Sequence, residues 1–182
     1  MTSDSDRRRL LRLARETITA HVAGAPVPSV DLDGVCGRRG AAFVTLHARN
    51  ELRGCIGHLE IDDPLGHVVP RCAIGACSHD PRFPAVVERE LPDIEIELSL
   101  LGPLESIRGA SDIEIGRHGL VVELGWNRGL LLPQVAVEWK WNADQFLEHT
   151  CRKAGLPRAA WKDGARLWRF EAEVFSETRL AG

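Results

Sequence analysis

The sequence predicts an α+β fold, a mainly antiparallel sheet flanked by helices. Three observations lead there. Segments such as Ile94-Glu95-Ile96-Glu97-Leu98-Ser99-Leu100 alternate apolar and polar residues, the period of a half-buried strand. Several such runs are joined by short turns rather than helical crossovers, and short connections go with antiparallel pairing. Segments at 5–23, 64–78 and 143–154 instead repeat apolar residues at helical spacing and supply the covering layer. With 182 residues, 44% of them hydrophobic, the chain can bury a substantial core as one domain or as two closely packed subdomains.

Taken in order, the first helix rests on Leu10, Leu11, Ala14, Ile18 and Val22, begins in a Ser- and Asp-rich start, and stops at Gly24. Its arginines, Arg7, Arg8, Arg9, Arg12 and Arg15, read as a solvated face, with an anion patch as the alternative. Residues 24–39 show no periodicity and form an extended connector, in which Cys36 is a candidate for solvent access. A strand at 41–47 meets the hairpin tip Ala48-Arg49-Asn50, and the chain returns through Glu51 and Leu52. Asp63 as cap and Pro64 as first residue open the next helix, whose buried stripe includes Leu65, Val68, Val69, Cys72 and Cys77. Pro70 removes one hydrogen bond within it and predicts a kink.

Two prolines then stiffen the turn Ser78-His79-Asp80-Pro81-Arg82-Phe83-Pro84. Beyond the strand at 94–100, the turn Gly116-Arg117-His118-Gly119 enters a strand at 120–124, and Gly125-Trp126-Asn127-Arg128-Gly129 turns into Leu130-Leu131-Leu132. A short helix passes through Val135, Ala136 and Trp139. Asn142 caps the last helix, which buries Phe146, Leu147, Cys151 and Ala154 and ends at Gly155. Residues 167–177 close the chain as a long strand with Trp168, Phe170, Ala172 and Val174 on one face.

A formal charge of −3 argues against bulk attraction to nucleic acid or an anionic membrane, while leaving a local basic patch open. No apolar run reaches the roughly 18 residues of a spanning helix, and the start lacks a signal-peptide core, so the expected location is the cytoplasm. Five scattered cysteines without a CxxC pair suit a reducing compartment, and all are expected to be free thiols.

The chemistry concentrates in Leu52-Arg53-Gly54-Cys55-Ile56-Gly57. Gly54 and Gly57 remove side chains that would crowd the thiol and let a ligand or another backbone come close. In a regular strand Arg53 and Cys55 share a face, where the guanidinium would favour thiolate. The alternative is that Cys55 is a small apolar residue buried in a tight hairpin. The proline-framed turn offers His79 or Asp80 as acid, base or orienting group and Arg82 as an anion clamp able to reach the Cys55 rim. A metal site on Cys55-x-x-His58 with His79 has too few ligands at metal spacing to be expected, and no cofactor motif is present.

LRGCIG, SHDPRFP, GRHGL, GLLLPQVAVEW and KAGLP, in this order from about residue 40 onward, resemble the signature motifs of the AMMECR1 domain family. The resemblance implies two closely associated α+β subdomains in a single domain over 1–182. It assigns Arg53, Gly54, Cys55 and Gly57 to the signature hexapeptide and Asp80, Pro81, Arg82 and Phe83 to the second motif. It also implies association with Memo-like and radical SAM proteins, and no established reaction. His79 and Pro70 depart from its pattern.

Two functions follow. The first is a cysteine-dependent enzyme on a small or nucleotide-like anionic substrate. Its catalytic candidates are Cys55, Arg53 and Asp80, its substrate-binding candidates are Gly54, Gly57, His79, Arg82, Arg117 and His118, and its base is one of His58, His79 and His118. The second is a non-catalytic module in which the same residues hold a ligand or a partner protein.

Overall fold

Ser3 opens the first helix, α1 (Asp4–Val22): its hydroxyl accepts from the Asp6 amide while the Asp6 carboxylate accepts from the Ser3 amide. Two otherwise unpaired donors are satisfied in one exchange, which sets the start within a residue of the expected one. The computed structural model describes residues 2–58 and 62–180. Its contacts divide the chain into two compact units, one holding the residues up to Leu100 and those from Glu173 on, the other Leu101–Ala172.

In the first unit β1 (Ala42–Ala48) is paired antiparallel with both β2 (Glu51–His58) and β3 (Ile94–Leu101). Arg49 and Asn50, both with φ near +60° (53° and 65°), make the two-residue turn whose twist suits a hairpin. One sheet face buries Val44, Leu46, Ile96 and Leu98 beneath α1 and a second helix, α3 (Leu65–Ser78). The connector is not wholly extended. It contains a single turn, α2 (Gly34–Gly37), and Cys36 lies in it at 1% exposure, which removes it as an accessible thiol.

Pro64, rather than Asp63, is the cap residue of α3, and the helix runs from Leu65 through Pro70 to Ser78. The carboxylate of Asp63 goes instead to Arg71, at 2.8 Å, while the Leu65 amide finds the Arg38 carbonyl, also at 2.8 Å. A side-chain cap is unnecessary where the neighbouring chain already takes that amide.

The second unit pairs β4 (Glu105–Ile107) with β7 (Arg166–Ser176), β7 with β5 (His118–Leu124), and β5 with β6 (Asn127–Leu131), all antiparallel. The helices α4 (Pro133–Glu138) and α5 (Ala143–Lys153) cover it, and Phe146, Leu147, Cys151, Leu120 and Val122 form its core. Asn142 caps α5 through a reciprocal exchange with Gln145, as expected of that residue type. The described residues end in a one-turn helix, α6 (Glu177–Leu180). Every strand pair named here is antiparallel, as the short turns predict. Among the described residues no helix is long and apolar enough to cross a membrane.

Candidate functional site

Cys55 owes its position to an irregularity. Pairing runs from Ala42↔His58 to Leu46↔Gly54 and resumes at His47↔Leu52, so Arg53 is an extra residue without a partner in β1. A plain two-residue hairpin would set Cys55 opposite Val44; the bulge moves it opposite Thr45. It also re-aims Arg53, since bulges bend a strand and turn side chains. The Arg53 guanidinium is bidentate on Glu90 (2.9 and 3.2 Å) and donates to the Pro84 carbonyl at 2.9 Å. It lines a cavity of about 450 Å³ with Arg49, Leu52, Arg89, Glu90 and Asp93, and Cys55 is not part of that lining. The expectation that Arg53 activates the thiol is therefore corrected, because it assumed a regular strand.

The cation beside Cys55 is Arg82. β2 is the outermost strand of its sheet, so the Cys55 amide and carbonyl face away from β1 and need other partners. Asp80 and Arg82 provide them. The Asp80 carboxylate accepts the Cys55 N–H at 2.8 Å, and Arg82 Nη2 lies 3.4 Å from the Cys55 carbonyl oxygen. The same carboxylate accepts the Arg82 amide (3.1 Å), Nε (2.9 Å) and Nη2 (2.7 Å). Asp80 is 4% exposed and Arg82 keeps about half its side chain in water, with its guanidinium 5.4 Å from the Phe83 ring centroid. The prolines explain the stiffness: with Pro81 and Pro84 fixing the turn, the Asp80–Arg82 fork is pre-formed against the strand edge.

The electrostatics follow. Arg82 chiefly, with the amides of Cys55 and Arg82 adding to it against burial, holds the Asp80 carboxyl far below the usual carboxylate range. Asp80 is an ionised, four-bonded clamp. Burial pushes the Cys55 thiol up; Thr45, donating its hydroxyl to Sγ at 3.3 Å, and Arg82 oppose this, while Asp80 and Glu97 reinforce it. Cys55 is therefore a neutral thiol at pH 7 in company with the other four, of which Cys72 is pushed up to about 11 by burial.

The two glycines have packing reasons. A Cβ on Gly54 would stand 2.1 Å from the Ala76 carbonyl oxygen of α3, and one on Gly57 would meet the Phe43 ring at 2.2 Å. His79 is exposed at the end of α3, its Nδ1 3.2 Å from the Ser78 hydroxyl and its ring 6.5 Å from that of His21. His58 Nε2 is 3.7 Å from Asp63. Arg117 and His118 belong to the second unit: Arg117 pairs with Glu114 and Glu171, and buried His118 accepts the Glu114 amide on Nδ1, with burial lowering its pKa. Among the described residues no three His, Cys, Asp or Glu side chains are grouped to hold a metal ion.

These features can be set beside known proteins. The AMMECR1 family model matches residues 11–175. The chain belongs to the AMMECR1 family. A protein of Methanothermobacter thermautotrophicus is 44% identical, with 96% of each chain covered, and one of Methanococcoides burtonii is 43% identical over 100% of this chain and 94% of its own. The crystal structure of the uncharacterised protein PH0010 from Pyrococcus horikoshii superposes with a TM-score of 0.89 at 38% identity, covering 96% of this chain and 93% of that one.

In this AMMECR1 domain the hexapeptide and the DPRF turn are thus two halves of one strand-edge clamp. Two residues of the site escaped the sequence reading: Thr45, which donates to the thiol, and Glu90, which takes Arg53; Glu97, opposite Thr45 on β3, read as a solvated or paired carboxylate. The alternation of β3 did expose Glu97 as a face residue, but the register linking it to Cys55 through Thr45 depends on the bulge.

Proposed function

We propose that this AMMECR1 domain is a non-catalytic binding module of the cytoplasm, whose first unit holds a small anionic group beside Cys55 on the half-exposed Arg82 guanidinium. One observation carries the reading: Asp80 is consumed in holding Arg82 and the Cys55 amide, which leaves a preoriented cation next to a neutral thiol and takes Asp80 out of proton transfer. A cysteine enzyme needs a thiolate or an adjacent base. Here the groups acting on the thiol are a hydroxyl, a guanidinium and two carboxylates that raise its pKa. The family resemblance adds Memo-like and radical SAM proteins as the partners such a module would serve.

Alkylation of the native protein, read by peptide mass spectrometry, tests this. Cys55 labelling by neutral iodoacetamide is expected to stay slow through pH 7 and to climb on the alkaline side, because the raised thiol pKa delays thiolate formation. Negatively charged iodoacetate should gain on iodoacetamide at Cys55, and Arg82→Gln should remove that gain. Rapid Cys55 labelling below pH 7, or an iodoacetate preference indifferent to Arg82, would return the enzyme reading.

A further inference from the structure

Three helices of this protein end in the same pair of hydrogen bonds, and one of them uses the wrong residue. At the end of α1, Gly24 (φ 66°) donates to His21 and Ala25 to Ala20, at 3.1 and 2.8 Å. At the end of α5, Gly155 (φ 74°) donates to Arg152 and Leu156 to Cys151, at 3.0 and 2.9 Å. These are Schellman motifs, in which glycine is preferred at the left-handed position. At the end of α4 the equivalent bonds, Lys140 to Val137 at 3.1 Å and Trp141 to Ala136 at 2.9 Å, are intact, yet the left-handed residue is Lys140, φ 54°. Glycine would keep both bonds without the strain. Lys140 is exposed, so packing does not account for its side chain.

The same turn sets a tryptophan on each side of that lysine. Trp139 stacks on Trp141 (centroids 6.0 Å apart, planes 17°), and Trp141 stacks on His149 (3.7 Å, 8°). Trp139, the outer ring of this ladder, is 67% exposed, beside exposed Val137. Arg152 and Arg158 act on the ring at the inner end, against Glu148. A flat apolar ring open to water, next in the chain to an exposed lysine, matches a planar ring that carries negative charge.

We propose that Trp139 is a stacking platform for a nucleobase bearing a phosphate, with Lys140 meeting the phosphate. Trp141 and His149 hold the platform ring in place, and the base adds the next rung; stacking of this kind accepts any base because every base has a π-face. The chain's net charge of −3 is no obstacle, since attraction here is local to one turn. This site lies in the second unit and is independent of the reading offered for Cys55. The shared ligand chemistry has two sources, a free nucleotide and a single-stranded nucleic acid.

The intact protein is titrated with adenosine, AMP, ribose 5-phosphate and a short oligoadenylate, and the tryptophan indole N–H signals are followed by NMR. AMP and the oligoadenylate are expected to shift the Trp139 signal, and ribose 5-phosphate to leave it in place. Trp139→Ala should weaken both by about tenfold or more, while Trp139→Phe retains most of the binding. Lys140→Gly is the decisive variant. It should raise the melting temperature by relieving the left-handed backbone, weaken AMP several-fold together with its salt dependence, and leave adenosine unchanged. Tighter binding of the oligoadenylate than of AMP assigns the platform to single strands; the reverse assigns it to free nucleotides. A Trp139 signal unmoved by AMP and by the oligoadenylate, a response to ribose 5-phosphate equal to that to AMP, or an AMP affinity unchanged in Lys140→Gly would each overturn the proposal.

Discussion

Gly54→Ala is expected to destabilise the first unit by about 3 kcal/mol or more. The added methyl would stand 2.1 Å from the Ala76 carbonyl oxygen, a backbone atom inside α3 that cannot swing aside. Relief requires α3 to lift from β2, and that opens the contact with Gly75, whose own Cβ position is already 2.9 Å from Ile56. Chemical denaturation measures the loss, with a fall in melting temperature of roughly 6–12 °C for a domain of this size. Gly109→Ala is the control: its methyl would meet only Trp161, at 3.9 Å, and its effect should stay within about 0.5 kcal/mol. Equal stability of Gly54→Ala and wild type would mean that α3 does not sit on β2 as described.

Asp80→Asn carries the second large effect. The amide keeps one acceptor but turns a donor toward either the Cys55 N–H or the Arg82 guanidinium, and it removes the charge both were answering. Breaking a buried pair costs about 3–5 kcal/mol; with Arg82 half in water the lower end, about 3 kcal/mol, is expected. The pH dependence has a definite sign. Asp80 has its carboxyl lowered on folding, so its contribution is complete above the unfolded value of 3.8 and is lost as pH falls below it toward the folded value. Wild type should therefore lose stability steeply below about pH 4, and Asp80→Asn should lose less of it there. The variant should also label faster at Cys55, because the strand edge is no longer held. Parallel acid unfolding of the two proteins would show that Asp80 does not carry the clamp.

Sequence by itself determined the fold class, the positions of the three long helices and the hairpin at Arg49–Asn50, because these rest on short-range physics: hydrophobic period, capping residues and turn chemistry act within a few neighbours. It also singled out the hexapeptide and the DPRF turn. What each residue in them does was decided by contacts between distant segments. Alternation predicted that Arg53 and Cys55 share a face, and one extra residue in β2 broke that rule, sending Arg53 to Glu90 and Pro84 and bringing Thr45 to the thiol. Gly54 and Gly57 read as places where a ligand or another backbone comes close; at Gly54 it is the backbone of α3, through the Ala76 carbonyl, and at Gly57 the Phe43 ring takes the space. Asp80 read as an acid, a base or an orienting group, and only the unpaired edge of β2 explains why its carboxylate is spent on a backbone amide and an arginine 2.7 Å away. Bulges, helix-to-strand contacts and edge partners are properties of two segments at once, so no window of the sequence contains them; they exist only when the tertiary structure brings the segments together.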